Sequence, residues 1–276
     1  MDNLYVKRVL SEGYPDLERL GVEYFHEHLQ DRTTARATME LIGRLIDLTR
    51  GSRAVLVIGC GPKPTSLREL LELGFDATGI EPLEGSVIAA QQYLGDTTRV
   101  TRGTAERVDL PDVSQRVVLM ESVLEHVDSV ALALAEAYRV LAPGGILYVA
   151  TTNRFRLGRN DEFRLHFFQF LPDLLKECYV FHQLHYAPEL ANYSPRPAVH
   201  WFSFAELCRI GRQAGFAQFY SPLDLLSQDS QAITRSAVRR HFGRLLPIVQ
   251  RSPWFRALAL MHLGHAIFMW KRPVTC

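Results

Sequence analysis

Apolar residues along this chain follow two alternating patterns: short unbroken runs, and longer stretches in which they recur at helical spacing. Residues 54–58 (AVLVI) form one such run and stop at Gly59, the pattern of a strand buried on both faces. Residues 75–80, 98–102, 116–120 and 146–151 predict four more strands, the last entered through Pro143, Gly144 and Gly145. Between them, Leu67, Leu70, Leu71 and Leu73 predict a helix with Thr65 as its cap and Gly74 as its stop. Further helices are expected over 83–94 and roughly 127–141. Met39, Leu41, Ile42, Leu45, Ile46 and Leu48 mark residues 1–50 as helical, with Gly51 ending them. Strands alternating with helices at this spacing call for a parallel sheet covered on both faces.

The rhythm breaks over 153–202, where Phe155, Phe163, Phe167, Phe168, Phe170, Tyr179, Phe181, Tyr186, Tyr193 and Trp201 accumulate with several histidines. It resumes at Ser203, a cap for a helix to about Gln213, and a strand from Gly215 to Tyr220 follows. A second insertion, 229–262, reads as helical and basic, and His265 to Trp270 as a last strand.

Composition is near the globular average, with 47% hydrophobic and 22% charged residues among 276. A net charge of +1 gives no global attraction to nucleic acid, and no nucleic-acid partner is expected. Cys60, Cys178, Cys208 and Cys276 are scattered without a CxxC pair, which suits a reduced, cytoplasmic setting. Charges and Pro15 interrupt the first twenty residues, and the charge-free run from Ala257 to Trp270 is short for a bilayer, so neither a signal peptide nor a membrane span is expected.

In an open parallel sheet, ligands bind beyond the carboxyl ends of the strands. Gly59-Cys60-Gly61 lies at such an end and opens a helix, and its glycines let backbone approach a ligand closely. Glu81 ends the second strand twenty residues after Gly61, where a carboxylate can take both hydroxyls of a ribose. An adenosine-containing cofactor follows. A dinucleotide loop needs a third glycine where Pro64 stands, preceded by Lys63, which disfavours a pyrophosphate.

VLVIGCGPKP (55–64), GIEP (79–82), GTAE (103–106), VVLMESVLEHV (117–127) and YRVLAPGGILYVATTNR (138–154) resemble, in order, the motifs of class I S-adenosylmethionine-dependent methyltransferases. The branch with V-L-E-H after the fourth strand, which includes quinone-type O-methyltransferases, is the most similar. The likeness is close over 51–154 and looser over 203–221 and 265–272. It implies an α/β, Rossmann-like, doubly wound seven-stranded sheet, mostly parallel with an antiparallel last strand, plus helical insertions. The chain is then one methyltransferase domain: a helical lid (1–50), a cofactor-binding core (51–152), an aromatic substrate insertion (153–202), more core (203–228), a basic helical insertion (229–262), and a last strand and tail (263–276). The cofactor is S-adenosyl-L-methionine and the product S-adenosyl-L-homocysteine. Gly59, Cys60 and Gly61 resemble the loop for its methionine portion, Glu81 the ribose ligand and Pro82 an adenine neighbour. Thr104, Ala105 and Glu106 match the adenine segment, and Met120, Glu121 and Ser122 lie where the fourth strand passes the sulfonium. Four positions depart from the pattern: Val57 replaces an acid, Lys63 a glycine, and Thr104 and Arg116 aspartates.

Methyl transfer needs no metal, and a base only where the acceptor must lose a proton. His126 is the first candidate, with His166 and His200 in the aromatic insertion as others; Glu125 is expected to face solvent or a helix amino end. His182 and His185 have a two-ligand spacing without a third ligand, and no metal is expected. The acceptor reads as an oxygen or nitrogen of a small, partly apolar metabolite. Rival readings are a lipid-linked or saccharide acceptor at a membrane and a catalytically inactive S-adenosylmethionine-binding protein. In 229–262, Arg235, Arg239, Arg240, Arg244, Arg251 and Arg256 face a single acid, Asp229. They fit either a solvated face on helices packing the core or a homodimer partner, or peripheral contact with an anionic membrane.

Overall fold

The computed structural model describes residues 35–155, 165–172, 174–176, 178–179, 198–226, 246–263 and 266–272. Its elements in chain order are α1 (Ala35–Gly43), β1 (Ala54–Ile58), α2 (Thr65–Glu72), β2 (Asp76–Glu81), α3 (Glu84–Leu94), β3 (Val100–Arg102), β4 (Gln115–Glu121), α4 (Val130–Val140) and β5 (Leu141–Ala150). After the aromatic insertion come α5 (Phe204–Gln213), β6 (Gln218–Tyr220), α6 (Pro222–Leu225), α7 (Pro253–Leu263) and β7 (Ala266–Trp270). The seven strands lie in the order β3-β2-β1-β4-β5-β7-β6. All neighbours pair in parallel except β7, which runs antiparallel to both β5 and β6. The expected doubly wound sheet with an antiparallel last strand is therefore present.

Each face carries its own core. Leu56, Ile58, Val118, Met120, Leu147, Val149, Ile267 and Met269 bury one face beneath α4 and α5. Val55, Val57, Val117, Leu119, Ile146 and Phe268 bury the other beneath α1, α2 and α3. The alternation along each strand sends neighbouring residues to opposite layers, which is why the runs are apolar throughout. At the amino end of α1, the Arg36 N–H donates to the Glu69 carboxylate of α2 at 3.1 Å, tying the helices together. At the carboxyl end of α4, Lys271 donates to the carbonyls of Tyr138 and Leu141, each at 2.7 Å. Burial pushes the Lys271 amine below its ordinary value, opposed by the Asp112 charge.

Several expected boundaries move for local reasons. The α2 helix takes Pro64 as its N-cap residue with no side-chain cap bond, so Thr65 is its first residue rather than its cap. Strand β3 starts at Val100 because Asp96 accepts from the Thr98 N–H and hydroxyl at 2.8 and 2.7 Å, closing a turn. Strand β5 runs through the Pro-Gly-Gly stretch to Leu141, with a register shift against β4 between Gln115 and Val117. Gly145 makes that possible: a Cβ there would stand 2.8 Å from the carbonyl oxygens of Ala142 and Arg116. Ser203 does cap its helix, accepting from the Glu206 N–H at 3.2 Å. His182, His185, Arg235, Arg239, Arg240 and Arg244 lie outside the described residues, as do 1–34 of the expected lid.

Candidate functional site

The carboxyl ends of β1, β2 and β4 converge on the Gly59-Cys60-Gly61 turn. Gly59 and Cys60 both donate their N–H to the Ile80 carbonyl, at 2.8 and 3.2 Å, which pins the turn to the end of β2. Gly59 has φ +66° and Gly61 φ +69°, a region that other residues enter at a cost. A Cβ on Gly59 would lie 2.6 Å from Val123 Cγ2, whereas one on Gly61 would meet nothing within 4 Å. The second glycine thus borders open space. Cys60 turns the other way: its sulfur packs where Gly79 leaves room, 2.8 Å from the position a Cβ would take. Burial, with the Glu81 charge beside it, pushes the Cys60 thiol well above its ordinary value.

Glu81 ends β2 with its carboxylate accepting the Gly61 N–H at 3.0 Å, and the residue is 7% exposed. A buried carboxylate calls for charge-assisted donors, and this one faces a turn built for close approach. Across the sheet, Glu121 ends β4 and accepts from the Ser66 hydroxyl in the first turn of α2 at 3.3 Å. Ser66 was not among the residues read from sequence; a serine in a first helical turn carries no distinguishing signal. Val57, where the resemblance led to an acid, lies in the core at 5% exposure. The nearest carboxylates at the strand ends are thus Glu81 and Glu121. A positive amine and a pair of vicinal hydroxyls fit this acceptor-rich, donor-lined rim.

The remaining expected cofactor residues divide. Pro82 and Thr104 are exposed beside the end of β2, Thr104 in a bridge with Arg107, and Ala105 is buried beneath them. Glu106 is engaged elsewhere: it accepts from the N–H groups of Asp128 and Ser129 at 2.8 and 3.4 Å, ahead of α4. Met120 is wholly enclosed in the core and offers no accessible surface, because its position on β4 points into the layer under α4. Ser122 is exposed with φ +55° and donates its N–H to the Ala150 carbonyl at 2.8 Å, linking the ends of β4 and β5.

Beyond β4, Glu125 corrects the expectation of a solvent-facing acid. It is 5% exposed and its carboxylate accepts from the Thr151 hydroxyl at 2.7 Å. Its carbonyl accepts from the N–H groups of Val199 and His200 at 2.8 and 3.3 Å. The returning segment is held from β5 as well, since Thr152 donates its hydroxyl to the His200 carbonyl at 2.7 Å. His200 Nε2 lies 2.9 Å from the Val127 carbonyl. His126 and His200 are thereby brought close enough to interact electrostatically, while His166 is exposed and packs on Phe167, with ring centroids 6.3 Å apart. Nothing in the sequence alone linked position 200 to 125; the contact spans the whole aromatic insertion. Among the aromatics, Phe168 is buried against Trp201 and Tyr179, whereas Phe155, Phe167 and Phe170 are exposed. Among the described residues no cluster of three or more His, Cys, Asp or Glu is arranged for a metal ion.

Comparison with known proteins adds the following. A family model described as a methyltransferase domain matches residues 56–149. A ubiquinone biosynthesis O-methyltransferase of Azorhizobium caulinodans is 39% identical over 105 residues, which cover 36% of this chain and 40% of that protein's length. A demethylmenaquinone methyltransferase of Tropheryma whipplei is 29% identical over 192 residues, covering 68% of this chain and 74% of the other. A solved S-adenosylmethionine-dependent methyltransferase from Archaeoglobus fulgidus shares the fold, with TM-score 0.51 at 17% identity over 90% of this chain and 97% of that one.

Proposed function

We propose that this chain, which belongs to the class I S-adenosylmethionine-dependent methyltransferase superfamily, transfers a methyl group to an oxygen or nitrogen of a small, partly apolar metabolite. We read residues 1–276 as one domain serving that reaction. The observation that carries the reading is the Glu81 carboxylate, buried at the end of β2 and bonded to the Gly61 N–H of a turn that borders open space.

Bound S-adenosylmethionine supplies a methyl group on a sulfonium, electrophilic enough that the protein need add no metal. The backbone of Gly59, Cys60 and Gly61 holds its methionine portion, with Glu81 accepting from the ribose hydroxyls. Glu121, beside Ser66, receives the ammonium group that an acid at Val57 would otherwise meet. Gly103, Thr104 and Ala105 border the adenine. The 198–202 segment is tied to the ends of β4 and β5, where it would help to position the acceptor. Calorimetry of the full-length protein with S-adenosylmethionine and S-adenosylhomocysteine tests this. Micromolar binding of either is expected, and no heat at millimolar ligand would overturn it.

One further observation favours an acceptor presented at a membrane. On α7, Trp254, Leu258 and Met261 recur at i, i+4 and i+7 and are 85%, 61% and 43% exposed, with Phe255 beside them at 56%. Arg251 adjoins this face, in an insertion with six arginines against one acid. An exposed apolar helix face next to an arginine suits an anionic bilayer surface. No described helix is long and apolar enough to cross a membrane, so contact would be peripheral. Flotation with anionic vesicles at low salt is expected. A chain that stays at the bottom would overturn the membrane reading, and a dimer abolished by Trp254→Ala would assign the face to a second copy instead.

A further inference from the structure

Among the described residues, every exposed large apolar side chain except Ile88, Val113 and Leu132 lies in one of the two insertions. Phe155 belongs to the first, and Trp254, Leu258 and Met261 form one face of α7 in the second. A single buried amide joins the two groups. Asn153 donates from Nδ2 to the Met261 carbonyl at 2.9 Å and accepts the Phe155 N–H on Oδ1 at 3.0 Å. Both groups of exposed side chains therefore start from one point, just past the end of β5. The opposite face of α7 is occupied: Ala259 and Leu260 pack with Leu223 and Leu246, and Arg256 donates to the Asp224 carboxylate of α6 at 2.9 Å. Anchored near both ends, the helix presents its apolar face outward.

The stretch that holds α7 also holds the segment crossing the strand ends. Residues 198–202 form a strap tied to β4 and β5. From the β4 side, the Glu125 carbonyl accepts from the N–H groups of Val199 and His200. From the β5 side, Thr152 donates its hydroxyl to the His200 carbonyl, and Asn153 pairs with Phe202 in a parallel bridge. Arg154 donates its guanidinium to the Trp201 carbonyl at 2.8 Å and its N–H to the Phe202 carbonyl. Three consecutive residues thus carry the strap, and the middle one also carries α7 and Phe155. Coupling needs a contiguous path of this kind between two sites.

The chemistry of the surface selects what covers it. Residues 246–263 carry Arg251 and Arg256 and no acid, and Arg251 is exposed next to the apolar face. Over 254–261 the only polar side chain is Arg256, which is turned to Asp224. The face therefore offers a protein partner no hydrogen bond to fix a register, whereas a fluid lipid surface needs none. A tryptophan ring beside aliphatic residues, with a cation at the edge, matches the headgroup level of an anionic bilayer. We propose that Phe155 and the 254–261 face of α7 seat together on an anionic lipid bilayer, and that Asn153 passes this docking to the strap, which then opens less often. The proposal rests on the methyl-transfer reading above, since the strap lies where the acceptor is positioned.

Two experiments on the full-length protein decide it. Flotation is measured with vesicles of phosphatidylglycerol and phosphatidylcholine, and with phosphatidylcholine alone. Binding to the anionic vesicles is expected, weakened about tenfold by Trp254→Ser and by Phe155→Ser and about fivefold by Arg251→Gln. Equal binding to the neutral vesicles, or none to either, overturns the docking, as does a dimer in solution that Trp254→Ser abolishes. Undiminished binding by Phe155→Ser would confine the surface to α7 and overturn its union at Asn153. Hydrogen exchange then reads the strap: the Val199 and His200 amides should slow about tenfold on docking in the wild type. In Asn153→Ala, which keeps every exposed apolar side chain, flotation should persist and the slowing should vanish. No slowing in the wild type overturns the coupling, whatever the variant does. Calorimetry with S-adenosylmethionine on the same preparation keeps the two readings apart. Cofactor binding without vesicle binding rejects the docking alone, and vesicle binding without cofactor binding rejects methyl transfer.

Discussion

The Gly61 N–H donates to the Glu81 carboxylate across 3.0 Å, so the turn after β1 and the end of β2 are one hydrogen-bonded unit. The bond explains how a carboxylate stays at 7% exposure in a strand end otherwise lined by apolar residues. It also orients one oxygen toward the turn.

Replacing Glu81 by Gln keeps an acceptor for Gly61 and the same volume, but removes the charge that strengthens bonds to ribose hydroxyls. Charge-assisted hydrogen bonds contribute about 1.5–3 kcal/mol. We expect affinity for S-adenosylmethionine to fall roughly ten- to hundredfold by calorimetry with little change in melting temperature. Unchanged affinity would remove Glu81 from the ribose role.

Cysteine reactivity reports the packing beneath the turn. The Cys60 thiol is pushed up by burial and by Glu81, the Cys208 thiol by burial, and Cys178 is exposed. Because the thiolate is the reactive species, Cys178 should modify rapidly with a disulfide reagent at pH 8. Cys60 and Cys208 should modify on unfolding. Peptide mass spectrometry reads the order, and equal rates for Cys60 and Cys178 would contradict the packing of Cys60 against Gly79.

Gly59 carries two separate constraints, a φ of +66° and a Cβ position 2.6 Å from Val123 Cγ2. Left-handed backbone costs a non-glycine residue about 1–2 kcal/mol, and the clash adds to it. Gly59→Ala should therefore lower urea stability by more than that amount. Gly59→Ala combined with Val123→Ala should recover part of the loss relative to the sum of the singles, since only the clash is relieved. Strict additivity would mean the two residues do not meet.

How much of this was legible in the sequence depends on the range of each interaction. Residues 54–58 and 116–120 announce buried strands because nearly every side chain meets a layer, and Gly59 and Glu81 announce the ends of β1 and β2, where the turn and the carboxylate meet. Strand limits at Val100 and Leu141 were not legible, since an Asp96 turn and a glycine-permitted bulge set them. Glu125 was misread for a different reason. Its partner Thr151 lies just past the end of the next strand, and a carboxylate in a polar stretch looks solvated until that strand is placed. Met120 shows the converse: the motif put it beside the cofactor, but strand alternation turns it into the core.

The Glu125–Thr151 pair separates a buried carboxylate's need for a donor from its charge. Thr151→Val removes the hydroxyl at nearly constant volume and deprives a 5%-exposed carboxylate of the bond at 2.7 Å. A loss of about 1–3 kcal/mol in urea unfolding is expected. Glu125→Gln retains an oxygen for Thr151 and should cost less, and in that background Thr151→Val should cost less than in the wild type. Equal costs in both backgrounds would show that the pair is not coupled.

The His200 ring should leave a mark on stability. His200 is held below its ordinary value chiefly by burial, so the unfolded chain binds its proton more readily than the folded one. Stability from this residue is therefore complete above about pH 6.5, the unfolded value, and is lost as pH falls toward the folded value. Many other groups titrate in acid, so the informative quantity is the difference between wild type and His200→Gln, followed by urea unfolding from pH 8 to pH 5. The wild type should lose stability relative to the variant on acidification through that window, because glutamine has no proton to gain. A constant difference across the range would mean that His200 titrates alike in both states, and that the strap does not hold its ring neutral.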